Sequence, residues 1–183
     1  MYNKYIFKSQ RLGFRNWKPS DTDKLFALNS DKDVMEFFAF LPSYEQTKAL
    51  IKKMTTQFDE NGFCYFAVDE LQTDEFIGFI GIAKQNFEAD FTPCVDIGWR
   101  LAKKYWGKGY ATEGAKRCLE FAFFNKKLES IKAVAPQINL KSIKVMEKIG
   151  MKYVKNFEHP ALKEDKRLET CTLYEINKKE YQN

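Results

Sequence analysis

The chain has 183 residues, a net charge of +5, 44% apolar residues and 17 phenylalanines, enough for one domain with a substantial core. No apolar run reaches the roughly 18 residues that a membrane helix needs, and residues 1–8 show no signal-peptide apolar region or cleavage site, so a soluble cytoplasmic protein is expected. Lysines are interspersed with acids, which argues against a nucleic-acid patch and suits a solvated, slightly basic surface, an anionic cofactor or an acidic partner.

In chain order, Leu12 and Phe14 alternate with Arg11, Gly13 and Arg15, predicting a short strand over 11–17. Pro19-Ser20-Asp21 breaks it, and Ser20 or Asp21 can cap a helix carrying Leu25, Phe26 and Leu28. A second helix is expected after Ser30-Asp31, with Val34, Met35, Phe37 and Phe38 on its apolar side. Ser43 and Gln46 have capping-box spacing for a helix through Leu50, Ile51, Met54 and Phe58. Asn61-Gly62 stops that helix.

Residues 63–68 and 75–83 read as strands joined by a polar connection. The near-continuous run Phe76, Ile77, Phe79, Ile80 and Ile82 marks the second strand as central. A loop over 87–93 precedes a strand over 94–101. A helix over 110–125 sets Ala111, Ala115, Cys118, Leu119 and Ala122 at helical spacing. Residues 130–135 alternate as a strand. Asn139 can cap a short helix with Ile143, Met146 and Ile149, ended by Gly150. Two closing strands are expected over 151–158 and 170–177. With no internal repeat or linker, residues 1–183 read as one domain of mixed α/β class.

Cys64, Cys94, Cys118 and Cys171 are widely spaced, and His159 is the single histidine. No metal site is expected, and free thiols are. Chemistry concentrates instead where the strand over 94–101 passes through Gly107 and Gly109 into a helix, with Lys103, Lys104 and Lys108 alongside. A helix N-terminus with glycines before it offers backbone N–H donors to a phosphate or pyrophosphate. Two nucleotide motifs fail here. Gly109-x-x-x-x-Gly114 has Walker A glycine spacing, but Ala115 stands where the lysine belongs. A dinucleotide fingerprint would need a third glycine at Thr112.

The pattern Lys104-x-x-Gly107-x-Gly109 resembles the Q/R-x-x-G-x-G/A pyrophosphate loop of the GNAT acetyltransferase superfamily, with Lys104 in place of Gln or Arg. Asp96-Ile97-Gly98-Trp99-Arg100-Leu101, then Tyr105-Trp106-Gly107-Lys108-Gly109-Tyr110-Ala111-Thr112-Glu113, look like the branch that contains the RimJ/RimL-like ribosomal-protein alanine acetyltransferases. Asn139-x-x-Ser142-x-x-Val145-Met146-Glu147-Lys148-x-Gly150-Met151 extends the likeness.

The resemblance implies a GNAT fold: a mixed sheet of six to seven strands, splayed at the fourth and flanked by helices. It implies acetyl-CoA as co-substrate, no metal, and direct acetyl transfer to a primary amine. The acceptor would be a small molecule or a protein N-terminus, the protein a monomer or homodimer, with no membrane and no nucleic acid. Backbone groups of Trp99, Arg100 and Leu101 would meet the pantetheine arm. Lys104, Gly107, Lys108, Gly109, Tyr110, Ala111 and Thr112 would hold the pyrophosphate. Asn139 would touch the arm, and Ser142 would lie near the sulfur.

Asp96 is the candidate base, acting through water. A peptide α-amine, with a pKa of about 7.7–8.0, needs little help to lose its proton. Met146 stands where many relatives carry a tyrosine acid, and Cys171 where the branch often has histidine. Those departures keep open an alternative: a catalytically weak or inactive CoA-binding module used for sensing or assembly. Phe37, Phe38, Phe40 and Tyr44 are expected at the acceptor site, His159 in a structural role, and Cys171 as buried packing.

Overall fold

The computed structural model describes residues 4–181. Eight strands form one sheet: β1 (Phe7–Lys8), β2 (Leu12–Arg15), β3 (Tyr65–Glu70), β4 (Phe76–Gln85), β5 (Cys94–Leu101), β6 (Ser130–Pro136), β7 (Lys152–Glu158) and β8 (Thr170–Asn177). Their spatial order is β1-β2-β3-β4-β5-β6-β8-β7. One strand more is present than the six to seven expected, because the two residues of β1 pair with Phe14 and Gly13 and are too short to show a period. The helices are α1 (Thr22–Asn29), α2 (Tyr44–Asn61), α3 (Tyr110–Glu120), α4 (Leu140–Lys148) and a short α5 (Lys178–Tyr181).

All neighbouring strands run antiparallel except β5 and β6. That junction is where the sheet opens. β5 pairs with β4 along its whole length, from Cys94 to Leu101. Its parallel pairing with β6 is limited to Asp96 opposite Lys132. Residues 97–101 therefore have no partner on the β6 side. This is the expected splay, and β5 is the fourth of the strands predicted from sequence.

The central strands are apolar on both faces because helices cover them. Ile77, Ile80 and Ile82 on β4 are fully buried. Gly114, Ala115, Cys118 and Leu119 of α3 are buried, and a side chain at Gly114 would stand 2.4 Å from Ile80 Cδ1. Helix α3 continues through a π-turn over Phe121–Asn125, where Lys126 N–H reaches the carbonyl of Phe121. The α2 capping box forms as expected, with Ser43 Oγ accepting from Gln46 N–H and Gln46 Oε1 from Ser43 N–H. Gly62 ends α2 at φ +70°.

Two local expectations change. Asp21 stands at the N-cap of α1 but makes no side-chain cap bond. Its carboxylate instead accepts from Arg15 at 2.7 and 2.9 Å, and the same guanidinium donates to Asp69 at 2.8 and 3.0 Å. All three side chains are buried. A charge-assisted fork outcompetes a helix N–H for a buried carboxylate. The helix expected after Asp31 is a series of turns. Asp31 Oδ1 caps the N–H groups of Asp33 and Val34, a local bond that competes with the helical ladder. Arg167 also draws off the Glu36 carbonyl at 3.2 Å.

Candidate active site

A cavity of ≈ 490 Å³ opens where β5 parts from β6. Three elements expected from sequence meet in its wall. Strand β5 contributes Trp99, Arg100 and Leu101; the glycine segment and first turn of α3 contribute Gly107, Gly109, Tyr110, Ala111 and Thr112; α4 contributes Asn139 and Ser142. These residues span more than forty positions of sequence, yet they converge.

The glycine segment adopts the conformation that its residues allow. Gly107 and Gly109 have φ +73° and +80°, values reached cheaply only without a Cβ. An added Cβ at Gly107 would meet nothing within 4 Å: open space lies beside it. None of the backbone N–H groups of residues 107–112 donates to another group among the described residues. A helix leaves its first N–H groups unsatisfied, and the glycine turn adds more just before them. Arg11 clasps the segment from outside. Its Nε lies 2.6 Å from Glu113 and its Nη1 3.0 Å from the Lys108 carbonyl.

Lys104 and Lys108 do not line the cavity. Lys104 is held 2.8 Å from Glu75, and the Lys108 ammonium lies 5.4 Å from the Tyr105 ring centre. The cations in the wall are Arg100, Lys141 and Lys148. Lys141, Ser142, Val145 and Lys148 share one face of α4, a helical spacing legible in sequence once Asn139 is read as the cap. Asn139 does cap α4, its Oδ1 accepting from Ser142 N–H at 3.1 Å. Lys141 lies 4.7 Å from the Trp106 ring centre, and Trp106 Nε1 donates to the Leu101 carbonyl at 2.8 Å. Phe37 and Phe38 line the cavity together with Asp33, which no sequence signal marked; Phe40 and Tyr44 do not line it.

Asp96, Gly98 and Arg100 alternate along β5 and share a face. The Tyr65 ring packs over Gly98, where a Cβ would come within 3.1 Å of it. Tyr65 hydroxyl donates to Asp96 Oδ1 at 2.5 Å, and Gln85 Nε2 donates to the same oxygen at 3.1 Å. Burial nonetheless raises the Asp96 carboxyl to about 6, against the two hydrogen bonds that lower it. Asp96 sits behind the cavity wall and does not line it.

A group raised in this way stabilises the fold only while protonated, so its contribution falls as pH rises from about 4 through about 6. Asp96→Asn keeps an acceptor for Tyr65 and removes the charge. The stability gap between variant and wild type, read from denaturant melts, is expected to widen in the variant's favour by about 2 kcal/mol from about pH 4 to about pH 7. A gap independent of pH would contradict this.

Met146 is buried, and its neighbour Val145 faces the cavity. His159 lies among Phe87 and Phe157, with Nδ1 accepting from Ala161 N–H at 3.2 Å. Cys171 is fully buried, its thiol pushed up to about 12 by burial. Among the described residues no cluster of metal-ligating side chains occurs, and no helix is long and apolar enough to cross a membrane.

The family model for the acetyltransferase (GNAT) domain matches residues 11–152. This chain belongs to the GNAT acetyltransferase family. The uncharacterized protein YkkB of Bacillus subtilis is 32% identical over 148 residues, covering 80% of this chain and 85% of the relative. A GNAT-family acetyltransferase of Bacillus anthracis has a crystal structure that superposes with a TM-score of 0.75 at 27% identity, covering 94% of this chain and 98% of that one. A spermidine N-acetyltransferase of Vibrio cholerae, solved with CoA and spermine, matches in fold with a TM-score of 0.73 at 20% identity, covering 94% and 99%.

GNAT acetyltransferases use acetyl-CoA, and the residues present fit it. The free N–H groups of residues 107–112 suit two linked phosphates. The unpaired stretch 97–101 of β5 suits an extended, amide-bearing arm, which can pair with a strand edge as another strand would.

Proposed function

We propose that this chain transfers the acetyl group of acetyl-CoA directly to a primary amine. The observation that carries the reading is the run of unbonded N–H groups over residues 107–112 beside an open cavity. In this reading those groups hold the pyrophosphate, and Lys141 and Lys148 add positive charge to the wall. The β5 backbone from Trp99 to Leu101 and the Asn139 side chain orient the arm. Bound acetyl-CoA supplies an activated thioester carbonyl.

A β5 backbone N–H polarises that carbonyl. Ser142, which lines the cavity, protonates the leaving sulfur in this reading. Asp96, with its raised pKa, accepts the amine's proton through water instead of by contact, because it lies behind the wall. The Lys104 and Lys108 ammonium groups act through their field and not as ligands. The motif likeness supports a relation to the RimJ/RimL-like branch. A likeness in fold to a putative ribosomal-protein-serine acetyltransferase of Vibrio cholerae, with a TM-score of 0.73 at 16% identity, is compatible with that placement.

The test is thiol release from acetyl-CoA over a panel of small amines and N-terminal peptides. Release above the hydrolysis rate with any amine is the expected result. Tight acetyl-CoA binding with no amine-dependent release would favour a binding module, for which the buried Met146 in the tyrosine position is the motivating feature.

A further inference from the structure

Two guanidinium groups point into the fold, Arg15 buried and Arg100 half-buried, and they are treated differently. Arg15 is satisfied by two carboxylates, Asp21 and Asp69. Arg100 has no carboxylate within salt-bridge distance among the described residues. Its one protein hydrogen bond runs from Nη1 to Asn29 Oδ1 at 2.6 Å. Its Nε is buried without a partner. Phe38 and Phe79 lie 4.0 and 5.2 Å from the guanidinium carbon. Aromatic faces attract a cation but give its N–H groups no in-plane acceptor. A buried, orphaned donor on a charged group is costly, and Arg100 lies in the wall of the cavity.

We infer that Arg100 receives a carboxylate carried by the amine acceptor, so that the substrate class is a small amine with a carboxylate, such as a free α-amino acid. This rests on the acetyl-transfer reading above. Asn29 occupies Nη1, which leaves the Nε/Nη2 edge, the side-on fork that a carboxylate grips with two oxygens. Asn29 is fixed in turn by the hydrogen bond that its Nδ2 donates to Thr47 Oγ1 at 3.2 Å. Phe38, 40% exposed on the turn segment, stacks over the guanidinium face.

The other charges agree. The one acid in the wall, Asp33, is bonded to Lys103 and makes no ion pair with Arg100. Burial lowers the Arg100 pKa to about 10, which leaves it charged near neutrality. A polyamine acceptor would bring like charge to Arg100, whereas a carboxylate neutralises it.

The experiment measures kcat/KM by thiol release for free α-amino acids, their amides, the matching decarboxylated amines and spermidine. With rates compared per neutral amine, since the carboxylate makes the acid's amine more basic than the amide's, the wild type is expected to favour an acid over its amide by about 10- to 100-fold, and Arg100→Gln to bring that ratio to about 1. A ratio measured on one sample is independent of how much of the variant is folded. Equal rates for acid and amide in the wild type, a preference for spermidine, or a ratio retained in Arg100→Gln would overturn the proposal.

Succinyl-CoA tests the other source of a carboxylate. A gain over acetyl-CoA that Arg100→Gln removes would place the anion on the acyl group, and the acceptor assignment would fall. If acetyl-CoA binds but no amine raises release, the acetyl-transfer reading fails. The Arg100 assignment is then read by calorimetry of N-acetyl amino acids and their amides with the CoA-saturated protein. Binding of the acids alone, lost in Arg100→Gln, supports it; equal affinity for both sinks it.

Discussion

A protein carrying Gly107→Asp and Gly109→Asp is expected to bind acetyl-CoA at least about 100-fold more weakly than the wild type, a loss of roughly 3 kcal/mol or more. Two effects add. Both positions hold positive φ, which disfavours any side chain, although aspartate tolerates it better than most. Each new carboxylate would also stand beside the N–H groups of residues 107–112, repelling a phosphate and competing for its donors. Packing does not oppose the change. A Cβ at Gly107 has nothing within 4 Å, and at Gly109 its nearest neighbour is Arg11 Nη2 at 3.5 Å, a favourable partner for an acid. The variant should therefore melt as one folded species. Isothermal calorimetry reads the affinity and circular dichroism the fold; undiminished affinity in a folded variant would remove the pyrophosphate from this segment.

Arg15→Ala is expected to cost about 3–5 kcal/mol of folding stability, because it strands the buried Asp21 carboxylate and leaves Asp69 with Lys4, at 3.1 Å, as its one cation. The fork ties β2 to β3 through Asp69 and to the start of α1 through Asp21, so its loss loosens the element pair on which the glycine segment is clasped. Burial alone would raise the Asp69 carboxyl, but the hydrogen bonds and charges of Arg15 and Lys4 together outweigh it and hold the group below its usual range. A depressed carboxyl contributes stability above its unfolded pKa and loses it as pH falls. The penalty of Arg15→Ala should accordingly shrink below about pH 4, as Asp69 becomes neutral. Adding Asp21→Asn and Asp69→Asn to Arg15→Ala should recover part of the loss at pH 7 by removing the stranded charges. Denaturant midpoints across pH check each point, and a penalty constant with pH would exclude the electrostatic account.

The features legible in sequence are those made by neighbours in the chain. Ser43 and Gln46 form their cap from three residues apart, Gly62 ends α2 at its own φ, and the glycine segment turns within a few residues. The cavity wall was legible to the same extent, because Trp99 to Leu101, Gly107 to Thr112 and Asn139 to Ser142 are each local patterns. Features decided by distant partners were hidden. Nothing near Lys104 announces that Glu75 will hold it, and nothing near Asp21 announces that Arg15 will claim the carboxylate from its helix. The segment after Asp31 has the apolar pattern of a helix, yet a side-chain cap and the distant Arg167 divert its backbone groups. Arg100 reads as one more surface cation until Asn29, Phe38 and Phe79 are seen around it.

The Arg11 clasp bears on time as well as on geometry. Its bonds to Glu113 and to the Lys108 carbonyl, with its guanidinium 4.4 Å from the Tyr110 ring centre, hold the turn in shape before any ligand arrives. A receptor that need not be ordered at the moment of encounter loses little entropy there. Capture would then be governed by diffusion and the positive field of the mouth, and CoA analogues of different affinity would arrive at similar rates and differ in how long they stay.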